Sequence, residues 1–480
     1  MKTSYIPKNK RKKILLLGDD LRMHSGVATM LREIVTKTSN HFNWIQLGGA
    51  INHPEQGKRI DLSQATKDQF GVDDAEVIVI PIHGYGSPQL IRDLIKSEKP
   101  DALMMMTDPR YYIWLFQIEN EIRKHIPIIY LNIWDDYPAP LYNEDFYKSC
   151  DGFAAISKQT ANINRIVLGE EAKNKVIKYV PHGIDHNVFR PLTESDPDWT
   201  SFQNYKKQVL GGKEYEFVWY YNARNIRRKQ TSDMFAAWNQ FCETIGPEKS
   251  KKCCFLLHTQ VADENGTNLG AVKDLLVDEE KHGDVIFLDN LVSPQEMNFL
   301  YNMTDLTSLL SSNEGWGLSL TEAMMCGKMI MATVTGGMQD QMRFENEKGE
   351  WIDFDEEFCS NHFGTYKKCG EWAIPIFPAC MSIQGSIPTP YIFDDRCDFR
   401  DAAKGLVEAF EMGKEERERR GMLGREWATS DEAMMTAENM AKNTADCINE
   451  TIENFKPRKS YTFTKVEELP KKKLRHKLVY

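Results

Sequence analysis

The 480-residue sequence has no long apolar run. Its longest stretches, such as residues 77–82 and 14–17, are of strand length. A membrane-spanning helix needs roughly 20 apolar residues, so no integral membrane contact is expected. The basic start leads into only four apolar residues before Gly18-Asp19-Asp20, a pattern unlike a secretory signal. Cys-x-x-Cys is also missing: of ten cysteines only Cys253 and Cys254 are adjacent. Scattered cysteines read as reduced thiols, without a disulfide framework or zinc site, in a cytoplasmic protein. No His-x-x-His and no carboxylate cluster at metal-ligand spacing stands out, so neither metal nor cofactor is expected. A full G-x-G-x-x-G is absent too, and no internal repeat appears beyond two similar halves.

What is present is length and uneven charge. The chain is too long for one core, and two domains with appendages is the natural expectation. Net charge is −10, yet residues 1–13 carry six Lys/Arg and no acid, and residues 456–480 carry nine against two Glu. The ends are thus +6 and +7, leaving −23 on the rest. Basic arms on an acidic body can attract a polyanion such as double-stranded DNA; solvated tails are the plainer alternative.

Short β-rich runs alternate with helical stretches through the first 190 residues. Strands are predicted over 14–18, 42–47, 76–82, 102–106, 128–133, 152–155 and 176–180, with helices over 27–38, 88–96 and 159–168 between them. Residues 191–213 turn polar and read as a linker. Alternation then resumes, with strands over 216–221, 254–259, 285–288, 306–310 and 329–333 and helices over 231–244, 294–302 and 318–326. This is an α/β pattern of two successive doubly wound sheets. Regularity lapses over 343–396, and helices return over 400–412, 415–428 and 431–455. The domain reading is 1–192 for the first domain and 205–430 for the second, with 343–396 inserted. Residues 431–455 form a last long helix, and 456–480 form a basic tail.

The strongest motif runs Glu314-Gly315-Trp316-Gly317-Leu318-Ser319-Leu320-Thr321-Glu322, after a predicted strand and into a helix. Backbone amides at a helix N-terminus suit an anionic phosphate, and a carboxylate beside it can accept from sugar hydroxyls. A second motif, Asn222-Ala223-Arg224-Asn225-Ile226-Arg227-Arg228-Lys229, follows another predicted strand. Two cations on one loop match a diphosphate whose negative charge grows as it leaves.

With its two glutamates eight positions apart, the chain resembles the retaining GT-B glycosyltransferases of the glycogen-synthase-like group (glycosyl transferases group 1). The resemblance implies a GT-B fold, two Rossmann-like doubly wound domains facing across a cleft, with the helix 431–455 crossing back to the first domain. It implies Glu314 near the transferred sugar, Glu322 on the nucleotide ribose, and Arg224 and Lys229 on the donor diphosphate. Gly315, Gly317 and Leu318 would border the donor, as would the Gly336-Gly337 turn. The segment Val180-Pro181-His182-Gly183-Ile184-Asp185 resembles the family's hinge-side stretch, with His182 structural. Ser25-Gly26-Val27 stands where the family's N-terminal glycine-rich loop approaches the diphosphate, making Gly26 a donor-binding candidate. The implied substrate is a nucleoside diphosphate sugar, UDP-linked, and the implied outcome is retention.

One departure matters. Where many relatives carry a histidine, this chain reads Asn132-Ile133-Trp134-Asp135-Asp136-Tyr137-Pro138. Asp135 and Asp136 could bind the sugar or take the acceptor proton; a capped turn is the alternative. Asp108-Pro109-Arg110 is a weaker candidate. Three readings of the acceptor side stay open. One is 5-hydroxymethylcytosine in DNA, as for phage DNA glucosyl- and arabinosyltransferases. The second is a glycan or lipid-linked saccharide, and the third is a non-catalytic sugar-nucleotide-binding subunit.

Overall fold

Lys12–Asp19 forms strand β1, and its last six residues are buried, the mark of a central strand covered on both faces. In the computed structural model, which describes residues 3–459, the chain divides into two units. The first comprises Met1–Gly183, Phe354–Glu357 and Ala437–Tyr480; the second comprises Ile184–Asp353 and Phe358–Thr436.

The first unit holds β1 and seven more strands: β2 (Phe42–Gly49), β3 (Ile60–Asp61), β4 (Val77–Pro81), β5 (Ala102–Met106), β6 (Ile128–Asn132), β7 (Gly152–Ala155) and β8 (Val176–Tyr179). Their order is β3-β4-β2-β1-β5-β6-β7-β8, parallel except for the β3–β4 pair. Strand succession reverses direction between β1 and β5, where open α/β sheets commonly bind ligands. Serine caps open the helices after strands: Ser25 Oγ accepts from the Ala28 N–H, and Ser157 Oγ from the Thr160 N–H. The helix Ala437–Asn454 packs on the helix Gly26–Thr38 and on β7 and β8. Lys37 pairs with Glu438 at 3.0 Å, and a side chain at Gly152 would collide with Thr451.

The second unit contains β9 (Phe217–Asn222), β10 (Cys253–His258), β11 (Asp284–Leu288), β12 (Leu306–Leu309), β13 (Met329–Thr333), β14 (Ala373–Ile376), β15 (Pro378–Ser386) and β16 (Thr389–Cys397). Six form a parallel sheet in the order β11-β10-β9-β12-β13-β14, while β15 and β16 pair antiparallel as a separate hairpin. Its core is aromatic: Trp219 stacks on Phe255 at 4.1 Å and on Trp238 at 6.1 Å. The reversal of strand order here lies between β9 and β12.

Several sequence expectations are corrected. The stretch 191–213 is no plain linker, because it contains the helix Trp199–Val209. Trp199, Phe202 and Tyr205 recur every third residue, and Phe202 and Tyr205 reach Phe299 at 5.8 and 5.9 Å, a stripe hidden within a polar run. The units divide at Gly183/Ile184 rather than near 192. The segment 343–396 is not one insertion. Its β14 is an edge strand of the main sheet, where Pro375 is tolerated, and Phe354–Glu357 goes with the first unit. The last helix starts at Ala437 rather than 431, after Met434 in the left-handed region at φ 57°.

Among the described N-terminal cations, Lys8, Arg11 and Lys13 are held in ion pairs. Arg11 is buried and ion-paired with Asp74, donating also to Ile6 O at 2.7 Å. Lys8 pairs with Glu76 at 3.1 Å and Lys13 with Glu98 at 3.1 Å. At the other end Arg458 pairs with Glu119 at 3.0 Å; residues 460–480, most of the basic tail, lie outside the described residues. All ten cysteines are free thiols. Among the described residues no helix is long and apolar enough to cross a membrane.

Candidate active site

Three loops of the second unit meet beyond the carboxyl ends of β9, β12 and β13. The first follows β9 and closes in a 3-10 turn at Arg227–Lys229, with Gln230 left-handed at φ 52° before the helix Thr231–Ile245. The second follows β12 and carries Ser311 to Gly317. The third is the turn Thr335-Gly336-Gly337 after β13.

Glu314 is buried at their junction. Its Oε2 accepts from Lys229 Nζ, from Arg228 Nη1 at 3.1 Å and from Ser311 Oγ at 3.2 Å. Arg228 Nη1 donates to the Asn313 carbonyl as well, at 2.8 Å. Burial alone would raise the Glu314 carboxyl, but Arg228 and Lys229 outweigh it and hold the group at about 2. The Gly337 N–H donates to the Glu314 carbonyl at 2.9 Å, and Gly336 sits so close that a Cβ would strike that oxygen. Gly336 also adopts φ 55°, so glycine is required there twice over.

Gly317, left-handed at φ 83°, opens the eight-residue helix Leu318–Met325. Gly315 is buried beside Glu314, and Trp316 anchors the turn through Nε1 to Thr321 Oγ1 at 3.0 Å. One turn into the helix, half-buried Glu322 accepts from Tyr301 Oη at 2.5 Å. Burial pushes its carboxyl up to about 7, and the tyrosine bond offsets this only in part. Tyr301 Oη in turn accepts from Asn222 Nδ2 at 3.0 Å, and Asn222 Oδ1 lies 3.0 Å from His258 Nδ1.

The structure therefore brings together Glu314, Lys229 and the glycine turns, with Glu322 on the following helix. Arg224 does not join them: it is exposed and ion-paired with Asp263 at 2.7 Å. Arg228, four residues on, reaches Glu314 instead. Sequence reading passed over Arg228 because the expected spacing singled out Arg224. Tyr301 had no local signal, being 21 residues from Glu322 in the chain.

In the first unit the candidates are dispersed. Gly26 is exposed at the start of the helix Gly26–Thr38. Before it, Asp19 accepts from Ser25 Oγ at 2.7 Å and from Tyr85 Oη at 3.0 Å, while Asp20 pairs with Arg22 at 2.7 Å. Past β6, Trp134 is buried; its Nε1 donates to the Asp136 carbonyl at 2.9 Å. Asp136 is 1% exposed whereas Asp135 is half-buried, so the two neighbours differ in solvent access. Asp108 caps its own turn and pairs with Arg110. His182 is buried, and desolvation lowers its ring to about 3, so it is uncharged at neutral pH.

Residues 201–358 match the family described as Glycosyl transferases group 1. No curated protein matches the chain by sequence. Among solved structures, Anabaena HepE in complex with UDP and glucose superposes with a TM-score of 0.61 at 14% identity, covering 92% of this chain and 100% of that one. Sucrose-phosphate synthase from Thermosynechococcus elongatus gives 0.61 at 14%, with 92% and 100% covered. A glycosyltransferase from Rickettsia africae gives 0.61 at 12%, with 93% and 100% covered. The chain shares the GT-B fold of these structures. Its second unit carries the glycosyl transferases group 1 match, and the Lys229–Glu314 junction falls within it.

Proposed function

We propose that the protein transfers a sugar from a nucleoside diphosphate sugar, with UDP as leaving group, to a hydroxyl acceptor with retention. The observation that carries this reading is the convergence of Lys229 and Arg228 on Glu314, at the strand-order reversal between β9 and β12. A diphosphate arriving there takes over two cations that Glu314 holds in its absence. As the bond from the anomeric carbon to phosphate breaks, the growing charge is met by fixed positive groups rather than by water. The acceptor oxygen attacks from the face the diphosphate leaves, and its proton passes to a phosphate oxygen. Glu314 then faces the sugar hydroxyls, and Glu322 accepts from the ribose. The cations and helix N-terminus serve the leaving group without a metal. HepE, solved with UDP and glucose, supports UDP as the nucleotide.

On the acceptor side, half-buried Asp135 is better placed than Asp136 to meet a substrate. A second reading, 5-hydroxymethylcytosine in DNA as acceptor, keeps one supporting observation, the nine Lys/Arg against two Glu in residues 456–480. Lys8, Arg11 and Lys13, held in ion pairs, no longer contribute to it. The deciding experiment measures UDP release from UDP-sugars with hydroxymethylated duplex, plain duplex and glycans, alongside Glu314→Gln. Release that needs an acceptor and disappears in Glu314→Gln bears the reading out. Failure of every donor and acceptor pair leaves a sugar-nucleotide-binding subunit in its place.

A further inference from the structure

The hairpin β15–β16 adds little to the core. Ile387 at its tip is fully exposed and Ile383 is 52% exposed. Yet β16 alternates, placing Phe393, Asp395 and Cys397 inward and Asp394 and Arg396 outward. Among the inward three, a carboxylate stands where an apolar residue would be the cheaper choice for stability alone.

Asp395 is wholly buried, and beyond its own hairpin it bonds Thr335 and Ser312 of the loops around Glu314 and the Ser360–Asn361 segment beside them. Its carboxylate accepts from Thr335 Oγ1 at 2.7 Å and from Asn361 Nδ2 at 3.0 Å, and bonds the Ser360 side chain. Thr335 is followed by Gly336 and Gly337, whose N–H groups donate to the carbonyls of Ser360 and Glu314. Meanwhile the Asp395 N–H donates to Ser312 O at 3.0 Å, and the Ser312 N–H to Arg228 O at 2.8 Å. Two routes thus leave Asp395 and close on Glu314, one through the glycine turn and one through Arg228. The neighbouring Arg396 reaches outward to Gln230 Oε1 and Asp233 Oδ2, both at 2.9 Å, just beyond Lys229.

We propose that the β15–β16 hairpin is a positioning element for the donor diphosphate, with Asp395 as the residue that fixes the glycine turn and the Arg228–Lys229 loop around Glu314. It rests on the function proposed above and concerns the phosphate end of the donor alone. Removing the carboxylate loosens the loops that face the diphosphate and leaves the nucleoside contacts of Glu322 untouched.

Calorimetry on the full chain tests this with UDP and UMP as probes, for Asp395→Asn, Arg396→Ala and the unaltered protein. Loss of one charge-assisted hydrogen bond corresponds to about tenfold in affinity, so Asp395→Asn is expected to weaken UDP about tenfold and leave UMP within about twofold. Arg396 is half-exposed and its variant keeps the fold; about threefold for UDP alone is expected. If Asp395→Asn fails to fold, Arg396→Ala decides. Equal loss of UDP and UMP affinity, or no loss of either, overturns the positioning role. Unaltered protein that binds UDP no better than UMP overturns the diphosphate site itself, a separable result.

Discussion

Tyr301 donates its hydroxyl to Glu322 Oε2 at 2.5 Å, from a separate helix that docks beside the first turn of Leu318–Met325. Because the carboxyl sits at about 7, near neutrality it is half protonated.

The first prediction concerns pH. A ribose hydroxyl needs an ionised acceptor, so UDP binds tighter as pH rises through about 7. Between pH 6 and 8 the ionised fraction, and with it the affinity, rises about tenfold. Glu322→Gln flattens this component, which separates it from titration of the phosphate itself. The folded value lies above the ordinary 4.5, so the stability due to this group is complete below that value and is lost as pH climbs to about 7. A pH series of calorimetry on both proteins checks it; identical slopes would remove Glu322 from the nucleotide site.

Lys229 and Glu314 should behave as a coupled pair. Lys229→Ala leaves a buried carboxylate with Arg228 as its remaining cation and the Ser311 hydroxyl, at a cost of about 3 kcal/mol. In the Glu314→Gln background the same change costs less than about 1 kcal/mol, because the buried charge is already gone. Urea unfolding of the four proteins measures the coupling, and simple additivity would disprove it. The folded Glu314 value lies below the ordinary 4.5, so its contribution is complete above that value and is lost as pH falls toward about 2. Glu314→Gln is also expected to cut turnover more than UDP affinity.

Arg228 and Arg224 should differ. Arg224 is 59% exposed and held by Asp263, so Arg224→Ala shifts stability by less than about 0.5 kcal/mol. Arg228→Ala is expected to weaken UDP about tenfold by removing a charge-assisted contact. The reverse ranking in UDP titrations would return the diphosphate to Arg224, where the family spacing puts it.

The DNA reading makes its own prediction. Deleting residues 460–480 should flatten the salt dependence of sugar transfer to hydroxymethylcytosine duplex, since each lysine–phosphate contact adds to the slope. UDP affinity should not change. If the duplex accepts no sugar while a saccharide does, the acceptor is a saccharide.

Strands β1, β2 and β4 to β13 were legible because most are short runs rich in apolar or aromatic residues between polar turns. Strand β14 was not, because Pro375 breaks its propensity and only its neighbour β13 makes it a strand. The hairpin was hidden for a similar reason, its outward face being mixed and its inward face carrying Asp395. Glu314 and Lys229 could be found because their spacing is local. Arg228 needed the fold, since the 3-10 turn at Arg227–Lys229 decides which arginine faces inward. The paired state of Lys8, Arg11 and Lys13 was equally unreadable, as their partners lie more than 60 residues away.

The helix Ala437–Asn454 has a bearing on biosynthesis. It covers β7 where Gly152 makes room for Thr451, a contact between residues made far apart in time on the ribosome. Domains generally fold as units as they emerge, and here the first sheet is synthesised early but stays without its final covering helix until the entire second sheet has been translated. Its nascent surface near β7 is therefore exposed for most of translation, and a chain stopped before residue 437 leaves that apolar face open to aggregation.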